Sequence, residues 1–137
     1  MLIQEELRNK MITRKELLEK IDPLFSNGWF KSIDCGDGWL QIIDDLINGL
    51  NKLNIKYSIQ QIKEKFGTLR FYFSIIESTS KNDNDTADFL VDLACILSSK
   101  TCEICGEIGT SDSTKGWTSI VCETCKKKNF KEIHLDD

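Results

Sequence analysis

The sequence predicts an α+β fold in which helices pack on a small antiparallel β-sheet, with a four-cysteine finger of treble-clef or zinc-ribbon type at the C-terminus. Three observations carry this. Apolar residues recur at a helical period over 38–53, residues 55–76 alternate as two strands around a turn, and two Cys-x2-Cys pairs stand sixteen residues apart. The 137 residues divide into an N-terminal helical arm (1–28), an α+β core (29–100) and a finger with a polar tail (101–137).

Composition narrows the function classes. With 18 basic and 22 acidic side chains the net charge is −4, which argues against coating nucleic acid by bulk attraction. At 40% hydrophobic and 29% charged the chain suits a folded domain, and no apolar run approaches the ~20 residues a bilayer requires. The opening MLIQEELRNKM places acids where a secretory leader carries an apolar stretch, so a cytoplasmic protein without a membrane partner is expected. Six cysteines in such a chain favour metal over disulfides, and a single histidine, His134 in a polar tail, removes most catalytic triads.

Each element has its own signal. Thr13 and Glu16 form a capping-box spacing for a short helix over 14–21, ended by Asp22-Pro23; its thin apolar set (Leu17, Leu18, Ile21) reads as an arm. Trp29-Phe30 opens the compact part, and Asp34-Cys35-Gly36-Asp37-Gly38 is a loop whose glycines permit positive φ. Trp39, Ile42, Ile43, Leu46, Ile47, Leu50 and Leu53 line one helix face, with Asp37 at the N-cap position. Ile55, Tyr57 and Ile59 alternate with polar residues before the phase slips to Ile62. Gly67 marks a turn, and Leu69, Phe71, Phe73 and Ile75 face inward against the 38–53 helix while Arg70 and Tyr72 face out. Residues 77–85 read as a polar loop, with Asp85 capping a helix over 86–99.

Cys102, Cys105, Cys122 and Cys125 have the two-knuckle spacing of a tetrahedral zinc site, one structural Zn2+ per chain. Each pair turns back so that both sulfurs aim at one centre, and Gly106 permits the tight knuckle. Four thiolates leave no open coordination position, so this metal holds structure and does no chemistry. Gly116–Val121 reads as a strand delivering Cys122, followed by a lysine-rich helix over 126–133. Of the remaining cysteines, Cys95 is a small buried residue and Cys35 a loop residue that is structural or reactive.

Lys63, Arg70 and Tyr72 are the candidate ligand-binding residues. Residues 54–73 carry four bases and one acid, and arginine beside an exposed aromatic on a sheet holds single-stranded nucleic acid or a nucleotide by stacking and phosphate pairing; an ordinary solvated face is the simpler alternative. The lysine helix could track phosphates but equally serves the helix dipole and solubility, and it offers Asn129 and no base-reading arginine; Trp117, if exposed, is an interaction anchor, though a finger tryptophan more often packs against the neighbouring domain. Gln61-x-Lys63, with Asp34, Asp37 or Asp45 upstream, is a degenerate echo of a metal-dependent nuclease, with glutamine in place of the required carboxylate. No phosphate loop, dinucleotide fingerprint or serine elbow is present.

Three segments, CGDGW at 35–39, QIKEKFGTLRFYF at 61–73 and TCEICG…GW…VCETC at 101–125, together resemble a family of small proteins encoded by bacteriophages, prophages and bacteria, over about residues 29–126. The resemblance implies a helix and hairpin followed by a four-cysteine finger, and a cytoplasmic accessory product acting on a component of the bacterial host. It implies no activity. The expected function is therefore non-enzymatic binding, first of a protein partner and second of nucleic acid or a small nucleotide.

Overall fold

The computed structural model describes residues 11–28 and 30–128. Helix α1 (Arg14–Ile21) forms as its capping box predicts, with the Thr13 hydroxyl accepting from the Glu16 amide. It is more than an arm, however. Leu17 and Ile21 are fully buried in the main core, and Arg14 donates to the carbonyls of Ile33 (2.7 Å) and Cys35 (2.6 Å) while pairing with Asp37. Two fully buried side chains suffice to tie down a two-turn helix, since each contributes about 1.5–3 kcal/mol. Residues 1–10 of the expected arm, and Trp29, lie outside the described residues.

A 3-10 turn (Asp22–Leu24) leads to strand β1 (Ile33–Asp34), which runs parallel to β2 (Ile55–Lys65). The sheet is therefore mixed, ordered β1-β2-β3, where an all-antiparallel one was expected. Strands β2 and β3 (Thr68–Ser78) are the predicted hairpin, closed by Phe66 and Gly67, both at positive φ. The phase slip read before Ile62 is a β-bulge between Ile59 and Gln61, which returns Ile62 to the buried face.

Between β1 and β2, a 3-10 turn (Asp37–Trp39) precedes helix α2 (Leu40–Asn51). Asp37 is thus the first residue of the 3-10 turn and an ion-pair partner of Arg14, not the N-cap of the long helix. Helix α3 (Lys81–Ser98) starts earlier than expected: Ser80, not Asp85, caps it by accepting from the Asp83 amide. The helix lying closest against β3 is α3, and α2 packs on α3 and α1, so the hairpin does not rest chiefly on the 38–53 helix. Even so, Trp39, Ile43, Leu46, Leu69 and Phe71 share one core, with Phe73 half-buried against it. No described helix is long and apolar enough to cross a membrane.

The C-terminal unit is a short antiparallel hairpin, β4 (Thr110–Asp112) with β5 (Ser119–Val121), followed by a helical stretch over 123–128. Ile120 of β5 belongs to the main core, which welds this unit to the rest of the fold.

Candidate metal centre

The first knuckle is a backbone turn. The Cys102 amide donates to the Glu107 carbonyl (2.7 Å), the Gly106 amide donates to the Cys102 carbonyl (2.9 Å), and Gly106 closes the turn at φ +86°. β5 delivers Cys122. Across the second pair the Cys125 amide points at the Cys122 sulfur (3.4 Å), while the Lys126 amide donates to the Cys122 carbonyl (3.0 Å). Knuckle, hairpin and a second Cys-x2-Cys opening a helix occur in the order the spacing predicts.

The four sulfurs of Cys102, Cys105, Cys122 and Cys125 all lie within 4.8 Å of one another, and Cys105 Sγ is 3.6 Å from Cys122 Sγ. Zinc–sulfur bonds of about 2.3 Å in a tetrahedron place the sulfurs about 3.8 Å apart, so the cage has the size such an ion needs. Its electrostatics also fit a cation. Burial raises the Cys102 thiol, but the amides of Cys105, Cys122 and Ile104 aim at its sulfur and bring it down to about 7. Cys125 moves the other way, pushed up to about 12 by burial and by the neighbouring sulfurs, and Cys105 is raised, again by burial first. One thiolate is easily held and further ones repel it; a bound divalent cation inverts that balance. Among the described residues no other group of three or more His, Cys, Asp or Glu side chains is placed to hold a metal.

The glycine loop explains how this unit is seated. The Gly38 amide donates to the Glu103 carbonyl (2.8 Å), the Gly36 amide to Glu103 Oε2 (2.9 Å), and the buried Trp39 indole to the Thr101 carbonyl (2.8 Å). Neither Gly36 nor Gly38 has positive φ, contrary to expectation. They are glycines because the knuckle backbone lies against them: a Cβ on Gly38 would stand 2.0 Å from the Cys102 carbonyl oxygen, and one on Gly36 2.3 Å from that of Glu103. From the other side, Gly67 of the hairpin turn approaches Thr118 and Ile120. The three motif segments of the sequence therefore meet in one junction around the cysteine unit.

The candidate ligand face is on the sheet. Lys63 stands opposite Arg70 across β2 and β3, with Asp34 of β1 on its other side, and Lys63 Nζ lies 5.9 Å from the centre of the Tyr72 ring. Lys63, Arg70 and Tyr72 are thus brought together on the outward face, with Tyr72 exposed and Arg70 half-buried. The nuclease echo gathers less. Gln61 and Lys63 share that face with Asp34, but Asp37 is held by Arg14 and Asp45 accepts from Gln41 on α2.

Sequence reasoning missed a cleft. A cavity of about 890 Å3 lies between the cysteine unit and the core, bounded by Trp117, Ile104, Val121, Arg14, Lys115 and Lys126. Trp117 is 64% exposed on it, which is the condition for its acting as an anchor. Arg14, Gly36 and Asp37 line one side of this space and residues 112–127 the other, an arrangement that no local sequence pattern announces. Lys126 reaches Asp112 at 4.0 Å; Asn129, Lys131 and His134 lie outside the described residues. Cys35 is half-buried against the core, and burial, followed by the nearby Glu103 carboxylate, pushes its thiol up to about 12, so it stays protonated and poorly nucleophilic at neutral pH. Cys95 is half-buried on α3. No protein-family model, curated protein or solved structure matches the chain.

Proposed function

We propose that this chain is a non-enzymatic binding module, stabilised by one structural zinc ion on Cys102, Cys105, Cys122 and Cys125, that docks a protein partner through the cleft beside the finger. The observation that carries the reading is Trp117, a large aromatic exposed on a cleft formed between the glycine loop with the first knuckle on one side and residues 112–127 of the cysteine unit on the other. Tryptophan is among the residues most enriched at the energetic centres of protein interfaces. Zinc, when bound, would cross-link the two knuckles and so fix β5, and with it the loop that presents Trp117, on the core; it would supply no reaction. The resemblance to phage and prophage proteins gives the partner's origin as a protein of the bacterial host, met in the cytoplasm.

A second reading has its own observation. Lys63, Arg70 and Tyr72 share an open face, and Arg70 Nε is buried there without a hydrogen-bond partner among the described residues. A phosphate or nucleobase satisfies such a group. The two readings separate on the wild type. Titrating single-stranded and duplex oligonucleotides at near-physiological salt is expected to show no binding; micromolar, salt-sensitive binding that Lys63→Glu with Arg70→Glu removes overturns the protein reading. Conversely, nuclease-resistant capture of a host protein is expected to be lost in Trp117→Ala and kept in the Lys63→Glu, Arg70→Glu variant.

A further inference from the structure

The cysteine cage has an inner and an outer face. Cys102 (0% exposed) and Cys125 (7%) pack with Val121 in an apolar cluster of their own, and the knuckle turn pins Cys102 through both its amide and its carbonyl. Cys105 is exposed and Cys122 is half-buried, with 3.6 Å between their sulfurs. The two accessible thiols therefore belong to different knuckles, although the Cys-x2-Cys spacing pairs each of them with a buried neighbour. Thiolate character and access decide which sulfurs an oxidant attacks. A bound divalent cation keeps all four thiols deprotonated, so access makes the difference among them. Cys35, half-buried and protonated, and Cys95, half-buried on α3, stand outside the cage.

We infer that Cys105 and Cys122 form a peroxide-sensitive site, whose oxidation joins the two knuckles by a disulfide and releases the metal. The inference rests on the zinc reading of the cage and is independent of what the Trp117 cleft binds. The Cys105 thiolate attacks hydrogen peroxide: an S–O bond forms, the O–O bond breaks, and the departing hydroxide takes a proton from solvent to become water. The Cys122 thiolate then attacks the Cys105 sulfur, forming the S–S bond and expelling a second hydroxide, which is likewise protonated to water. Two thiolates give up two electrons and one peroxide accepts them. Closing the gap from 3.6 Å to the roughly 2.05 Å of a disulfide asks for a shift of about 1.5 Å. Cys102 and Cys125 are then the two thiolates left, fewer than the three or four protein ligands that zinc sites use, so the ion is lost. The new bond takes over the cross-link between the knuckles, and reduction restores the cage.

The test is titration of the full, zinc-loaded chain with hydrogen peroxide in the absence of reductant. Released metal is read by a coloured zinc chelator. The free thiols are then alkylated, and fragmentation of the proteolysed protein in a mass spectrometer maps the disulfide. One zinc is expected to leave for each peroxide consumed, with Cys105 joined to Cys122 and with Cys102, Cys125, Cys35 and Cys95 all alkylated. Dithiothreitol with added zinc is expected to restore the metal content. The Cys35→Ser, Cys95→Ser double variant is expected to behave as the wild type, because neither thiol takes part. A first disulfide within a knuckle, Cys102 to Cys105 or Cys122 to Cys125, overturns the inference. So does a Cys105 sulfinate in place of the disulfide, zinc retained after Cys105 and Cys122 have joined, or loss of the response in the double variant. Protein that holds no zinc before peroxide is added refutes the metal reading instead, and the disulfide map still decides which thiols pair.

Discussion

Replacing Gly38 with alanine adds one methyl group where the glycine loop meets the first knuckle. That carbon would lie 2.0 Å from the Cys102 carbonyl oxygen, 2.7 Å from the Glu103 carbonyl carbon and 2.7 Å from the Gly106 amide nitrogen. All three are backbone atoms, so no rotamer change relieves the clash, and the two segments must part by more than 1 Å to reach ordinary contact, about 3.4 Å. Parting them breaks the bond from the Gly38 amide to the Glu103 carbonyl and strains the bond from the Trp39 indole to the Thr101 carbonyl. Each bond contributes about 1 kcal/mol, and forcing a packed junction adds roughly 1–3 kcal/mol, so Gly38→Ala is expected to cost about 3–5 kcal/mol. Gly116→Ala is the control. Its φ is +90° with no neighbour within 4 Å, so backbone strain alone, about 1–2 kcal/mol, is expected there. Urea denaturation of both variants at fixed zinc concentration measures the difference. Gly38→Ala within about 1 kcal/mol of wild type would refute the claim that this glycine exists for close approach to the knuckle.

Phe71→Ala, which empties a buried site shared by the sheet and α3, is expected to destabilise the fold by about 3–5 kcal/mol, read by the same denaturation, whereas Tyr72→Ala on the opposite face is expected to stay within about 0.5 kcal/mol. Tyr57 is buried, its hydroxyl donating to Asn51 Oδ1 (2.8 Å), and burial raises its pKa from 10.0 to about 12. Its proton is held more tightly in the folded state, so its contribution is fully present below pH 10 and is lost as pH rises toward 12. Phenolate absorbance is expected to show it ionising above pH 10, and Tyr57→Phe is expected to flatten the alkaline fall in stability.

What the sequence made legible was whatever repeats locally. The apolar period of α2, the alternation of β3 and the break before Ile62 are written in neighbouring residues, as is the Cys-x2-Cys spacing that brings four sulfurs together. The start of α3 was hidden because KNDND has loop composition, yet Ser80 supplies the cap that lets it be helical. β1 was invisible because two residues carry no period, and its parallel pairing with Ile62 and Lys63 depends on the course of the chain from α1. Gly36 and Gly38 read as turn glycines in sequence, which shows a glycine's freedom but not what lies against it. The Trp117 cleft brings Arg14 and the glycine loop together with residues 112–127, a long-range arrangement that no neighbouring residues spell out.

Metal content of the folded protein tests the central claim most directly. Native mass spectrometry of reduced protein purified without added metal is expected to show one zinc per chain. Cys102→Ser, Cys105→Ser, Cys122→Ser or Cys125→Ser should each lose it, while Cys35→Ser and Cys95→Ser keep it. Folded, fully reduced protein without zinc, or zinc retained after removal of one of the four thiols, would contradict the account.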